Sequence, residues 1–71
     1  MDEKEIVIGV EYHISTIVDF ATKDDLFQGV VLEKVDNAFR IRVTEYTISE
    51  QIYVGQTMKF PASRFLRPVA T

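Results

Sequence analysis

The run Lys59-Phe60-Pro61-Ala62-Ser63-Arg64-Phe65-Leu66-Arg67-Pro68 constrains the fold of this chain more than any other stretch. A proline after an aromatic fixes φ and removes a backbone donor, so a strand that reaches Phe60 has to stop there. Ala62-Ser63-Arg64 is long enough for one 3₁₀ turn, and Phe65 and Leu66 then restart an extended, apolar segment. A strand, one tight turn and a short closing strand are the ending of a small β-barrel.

Seventy-one residues allow a single domain, 1–71, with a thin stability margin. Ordering entropy at about 1.5 kcal/mol per residue has to be offset almost completely by burial. The chain has no cysteine and one histidine, so neither a disulfide nor a Cys/His zinc site is available to help. Covering an unpaired sheet edge with a second copy is one remedy, and charges or prolines on that edge are another. An apolar fraction of 46% and a mean hydropathy of +0.02 fit a folded globular domain. The apolar stretch Ile6 to Val10 is too short for a membrane span or a secretory core, so no membrane association and a cytoplasmic location are expected.

Period-two patterning runs through most of the chain. Met1 to Glu5 is polar and expected to fray. From Ile6 to Phe20 the even positions are Ile, Ile, Val, Tyr, Ile, Thr, Val and Phe, which predicts strand with a break near Gly9 or near Ser15-Thr16. A short helix competes at Ile14, Ile17, Val18 and Ala21, but the density of β-branched residues favours strand. Ala21 to Leu26 reads as a polar loop. Phe27 to Val35 is a strand with burial on both faces or a bulge at Gly29. Asp36-Asn37 both tolerate positive φ and predict a two-residue hairpin into a strand over Ala38 to Thr47. There Phe39, Ile41 and Val43 point one way, and Arg40, Arg42 and Thr44 the other. Gln51 to Val54 resumes an extended pattern, Gly55-Gln56 bends or bulges, and Thr57 to Phe60 leads into the closing turn. The spacing gives five or six short antiparallel strands and leaves no room for crossover helices.

Phe60-Pro61-Ala62-Ser63-Arg64-Phe65-Leu66 resembles the segment that closes SH3 domains. Gly29-Val30-Val31-Leu32-Glu33-Lys34-Val35, followed by Asp36-Asn37 and an alternating strand, is similar to the Gly-x-Val core of KOW-type and other small bacterial SH3-like barrels of unassigned function. The fold this implies is an all-β, SH3-like small barrel with a 3₁₀ turn before the last strand. The chain departs from the resemblance in having no tryptophan for a proline-peptide groove, and Phe65 stands where a closing-turn tyrosine would. KOW-type barrels often touch RNA through a basic loop, whereas this chain carries a net charge of −3.

Groupings that would carry chemistry are sparse. Glu11, His13 and Ser15 lie at i, i+2 and i+4 and would share a face of an unbroken strand, but parallel neighbours do not converge on a substrate. Asp19, Asp24 and Asp25 are hard-cation candidates without a recognised loop spacing. Gly9, Gly29 and Gly55 are too dispersed for a phosphate cradle. No catalytic residue, metal or cofactor is assigned.

Charge is divided along the chain. Residues 1–36 hold nine acidic residues against Lys4, Lys23 and Lys34, net −6, and residues 37–71 hold Glu45 and Glu50 against five basic residues, net +3. Such a two-sided field favours oriented docking. Arg40, Arg42, Lys59, Arg64 and Arg67 are interleaved with Phe39, Tyr46, Tyr53, Phe60 and Phe65. Alternation sends the phenylalanines to the core and leaves Arg40, Arg42, Tyr46, Tyr53, Arg64 and Arg67 as the candidate binding face. Arg and Tyr are enriched in protein interfaces, and an acidic protein approaching phosphates meets long-range repulsion. The function expected is a non-enzymatic binding or regulatory module contacting a protein partner or a second copy. Single-stranded nucleic acid, RNA above all, on the same face is the alternative.

Overall fold

The structure is a computed structural model that describes residues 1–15, 26–46 and 53–69. Five strands are formed: β1 (Glu11–Ser15), β2 (Leu26–Val35), β3 (Ala38–Tyr46), β4 (Thr57–Pro61) and β5 (Phe65–Pro68). They make one antiparallel sheet in the order β4-β3-β2-β1-β5. Among the described residues there is no α-helix, and 3₁₀ turns occupy Glu3–Glu5 and Ala62–Arg64. Of the helix-or-strand alternative over 14–22, Ile14 and Ser15 belong to β1, and the remainder, with Thr47 at the end of the third strand and Gln51-Ile52, lies outside the described residues.

Closure follows from the order. β4 and β5 are the two opposite edges of the sheet, yet only the 3-residue turn Ala62–Arg64 separates them in sequence. A chain that short can join both edges only if the sheet curls. Principal extents of 29 × 26 × 25 Å agree, since a sheet layer left flat would be about 10 Å thick. Inside the curl, Phe65 of β5 meets Tyr12 of β1 edge-on at 5.6 Å and Phe39 of β3 at 5.7 Å, and Phe27 of β2 packs on Phe60 of β4 at 5.4 Å. Tyr12, Phe27, Phe39 and Phe65 with Ile6, Ile14, Val31, Ile41 and Val43 form the core, flanked by half-buried Met1, Val10, Met58, Phe60 and Ala62. The sequence pattern and the fold agree here: an all-β small barrel with a 3₁₀ turn before its last strand.

The β2–β3 hairpin turns at Asp36-Asn37 with Val35 paired to Ala38. Asp36 takes φ 54°, the one left-handed conformation among the described non-glycine residues. Aspartate tolerates it better than a β-branched residue would. Register shifts occur twice along this hairpin, between Gln28 and Gly29 and between Val31 and Glu33, leaving Thr44 and Leu32 as the extra residues. Bulges of this kind sharpen the right-handed twist that curling needs. Beside the first, Gly29 faces inward, where an added Cβ would sit 2.9 Å from Ile41 Cδ1, 3.2 Å from the Arg42 carbonyl oxygen and 3.4 Å from Ile14 Cδ1.

Two departures from the sequence pattern concern the start of the chain. A strand is expected from Ile6 with a break near Gly9; the break is there, as a turn, but β1 begins only at Glu11. Val10 N–H instead donates to Val7 O at 3.2 Å around a turn whose third residue, Gly9, has φ 91°. Gly9 N–H then donates to Val31 O, and Val31 N–H to Val10 O, so two residues oppose one as in a bulge. The same device recurs before β4. Gln56 N–H donates to Tyr53 O, Gly55 has φ 93°, Gly55 N–H donates to Val43 O and Val43 N–H to Gln56 O. Positive φ at the third position is what a type II turn requires, and glycine adopts it without a Cβ penalty.

The second departure is at residues 1–5, which are tied down where fraying was expected. Asp2 Oδ1 accepts from Lys4 N–H and caps the first 3₁₀ turn, and Glu3 pairs with Lys34 of β2. The Met1 amino group donates to the carbonyls of Ala62 and Phe65. Buried Tyr12 completes the attachment: its hydroxyl accepts from Val7 N–H at 2.8 Å and donates to Glu5 O at 3.3 Å. A polar-to-buried sequence, Glu5 then Ile6, is thereby anchored by a side chain that its own local pattern does not reveal.

Candidate binding face

The β3–β4 pairing builds the candidate face. Alternation along β3 buries Phe39, Ile41 and Val43 and exposes Arg40, Arg42 and Thr44. In β4, Thr57 and Lys59 are exposed while Met58 and Phe60 lean on the core. Register then matches like with like: Arg40 lies opposite Lys59 and Arg42 opposite Thr57. Arg40, Arg42 and Lys59 therefore form a cationic patch on two neighbouring strands. A shallow depression of about 220 Å³, lined by Arg40, Thr57, Met58 and Lys59, sits on it. One edge of the patch is partly neutralised, since Glu33 Oε2 of β2 lies 3.5 Å from Arg40 Nε.

Of the six residues expected at the site, two stand together, Arg40 and Arg42. Tyr53 is well exposed, at 64%, in the turn that delivers the chain to β4, with its N–H held by Gln56 Oε1. Tyr46 ends β3 opposite Phe27, and its side chain lies outside the described part of the structure. Arg67 is exposed on β5 opposite His13, on the far side of the sheet order from β4. Arg64 has a structural position. It is half-buried, its guanidinium lies 5.9 Å from the Phe60 ring centroid, and Nη1 donates to the Ser15 carbonyl at 3.5 Å. A half-buried cation over an aromatic face packs the turn rather than projecting from it. Comparison with family models, with curated proteins and with solved structures finds no match for this chain.

Lys59 belongs to the face on geometry, and the sequence signal for it is the alternation Thr57-Met58-Lys59-Phe60, which becomes decisive only once β4 is set beside β3. Towards β1 the outer surface changes sign. Glu11 is the neighbour of Val30, which in turn neighbours Arg42, and Thr44 Oγ1 donates to Glu11 Oε2. A lateral row therefore runs from carboxylate through valine to guanidinium.

Glu11, His13 and Ser15 keep alternate positions along β1, opposite Val30, Gln28 and Leu26 in unbroken register, but they do not share one environment. Glu11 and His13 are half-exposed and Ser15 is buried, so no accessible acid, base and nucleophile line up; the register shift towards β5 leaves Leu66 of β5, not a residue of β1, as the extra one. Among the described residues no group of three or more His, Cys, Asp or Glu could hold a metal ion. Asp19, Asp24 and Asp25 lie outside them. No helix among the described residues is long and apolar enough to cross a membrane.

Proposed function

We propose that this chain is a non-enzymatic binding or regulatory module that contacts an acidic protein partner through Arg40, Arg42 and Lys59. The observation that carries the reading is the segregation on β3 and β4, with phenylalanines inward and cationic side chains outward on adjacent strands. Single-strand binding on a small barrel draws on aromatic rings for base stacking. Here Phe39 and Phe65 are fully buried and Phe60 packs on the core, so Tyr53 is the one exposed ring described near the cations. A patch of charge without a stacking platform suits carboxylates better than bases. An overall charge of −3 also lets such a patch steer an acidic partner into one orientation, because the rest of the surface repels it.

The test is charge reversal. Immobilised wild-type protein and the Arg40→Glu/Arg42→Glu variant are exposed to the same cell extract, and retained proteins are compared by mass spectrometry. Both side chains are exposed, so the variant keeps its circular dichroism spectrum and loses the partners the wild type retains. Identical retention by the two would refute the reading. Titration of labelled single-stranded RNA and DNA at low and moderate salt separates the alternative, which demands micromolar affinity with a steep salt dependence.

A further inference from the structure

Resting on the reading above, we propose that the partner binds as an extended acidic strand that adds to the outer edge of β4. The backbone phase of β4 is set by Pro61. It pairs with Ala38 and has no N–H to give, so it occupies a position that does not hydrogen-bond to β3. In an antiparallel ladder such positions alternate, so Lys59, opposite Arg40, and Thr57, opposite Arg42, share that phase. The other end of the strand agrees, because Val43 bonds to Gly55 and Gln56, one step before Thr57. Thr57 and Lys59 therefore turn their N–H and C=O groups away from β3. Among the described residues no strand pairs with that edge.

The edge is short and selective. Pro61 closes one end and the Gly55-Gln56 bulge the other, leaving the segment Thr57-Met58-Lys59 for an incoming strand. Lysine and proline on an edge are the devices by which sheets discourage indiscriminate pairing. Pairing of β4 with a second copy about Met58 would set Lys59 opposite the copy's Thr57 and bring no carboxylate to either cation, so a strand carrying carboxylates is favoured over this chain's own β4. Alternation fixes the rest of the ligand. The residue opposite Met58 points to the apolar side of the edge, where Met58 leans on the core. Its two neighbours point to the cationic side, where their carboxylates meet Lys59 and compete with Glu33 for Arg40. The recognised pattern is acidic, apolar, acidic in extended conformation.

The probe is a capped peptide of alternating glutamate and leucine, titrated into isotope-labelled protein and followed by amide hydrogen exchange and fluorescence anisotropy. Thr57 and Lys59 amides exchange rapidly in the free protein and slow when the peptide is bound. Methylation of the peptide's edge-facing backbone nitrogens weakens binding about tenfold or more, the loss of one well-made hydrogen bond and the clash of its replacement. Arg40→Glu/Lys59→Glu does the same. If the methylated peptide binds as well as its parent while charge reversal still abolishes binding, strand addition is wrong and the acidic-partner reading survives. If charge reversal has no effect either, both fall. A peptide of alternating lysine and leucine binding equally well, or Thr57 and Lys59 amides already protected in the free protein, also overturns the proposal.

Discussion

Gly29 offers the sharpest test of how the barrel is packed, through a cycle with Ile41. The Cβ of an alanine at 29 falls 2.9 Å from Ile41 Cδ1, whereas carbon atoms settle at about 3.5 to 4.0 Å. Ile41 and Ile14 are fully buried, so neither methyl can swing into solvent, and the Arg42 carbonyl 3.2 Å away belongs to the ladder itself. Overpacking of this size costs roughly 1 to 3 kcal/mol, against which the lower unfolded-state entropy of alanine returns about 0.5 to 1 kcal/mol. We expect Gly29→Ala to destabilise by about 1 to 2 kcal/mol, a drop in Tm of roughly 4 to 16 °C for a domain of this size. Ile41→Val alone removes Cδ1 and costs roughly 0.5 to 1.5 kcal/mol as a small cavity. In the double variant the new Cβ fills the space the methyl vacated, so the combined loss falls short of the sum by about 1 kcal/mol. Urea unfolding followed by far-ultraviolet circular dichroism measures all four corners, the chain having no tryptophan to report. Additivity within about 0.5 kcal/mol would mean that Gly29 is not held small by Ile41.

Three further outcomes follow from the contacts. Tyr12→Phe keeps the ring against Phe65 but leaves the Val7 N–H without its acceptor, so stability falls by roughly 1 to 3 kcal/mol and amide exchange at Val7 accelerates; an unchanged exchange rate would show the segment is held by other means. Gly55→Ala puts a Cβ on a residue at φ 93° in open space, costing on the order of 1 to 2 kcal/mol through backbone strain alone, and the matched Gly9→Ala should cost a similar amount; a large difference in urea midpoint between the two would deny that the turns are equivalent. Phe65→Ala removes a ring that touches both Tyr12 and Phe39, a loss of roughly 3 to 5 kcal/mol that a domain this small cannot absorb, so the variant should give no cooperative thermal transition, and a sigmoidal melt near the wild-type Tm would refute it.

Much of the architecture was legible because period-two burial leaves a direct trace. Phe39, Ile41 and Val43 against Arg40 and Arg42 could be sorted without coordinates, and so could the hairpin at Asp36-Asn37 and the turn after Pro61. Ile6 to Val10 misled for a physical reason. An apolar run with glycine in it satisfies both a strand and a type II turn, and the choice is made by Val31, a residue distant in sequence, to which Gly9 and Val10 bond. Arg64 looked like a surface cation because sequence spacing cannot say which way a 3₁₀ turn aims its side chains. The candidate face was half visible: β3 announced its arginines, but Lys59 joins them only through the β3–β4 register, and Arg67 leaves them because β5 pairs with β1 instead.

The 3-residue bridge between the two sheet edges also bears on how the chain reaches its native state. β2 and β3 meet through a two-residue turn, so that hairpin forms with almost no loop to close, whereas joining Tyr12 to Pro68 requires nearly the whole chain to be in place. During synthesis the N-terminal strand waits on the ribosome with one flank unsatisfied until β5 emerges, and the step that locks Phe65 between Tyr12 and Phe39 is the one on which refolding time should depend.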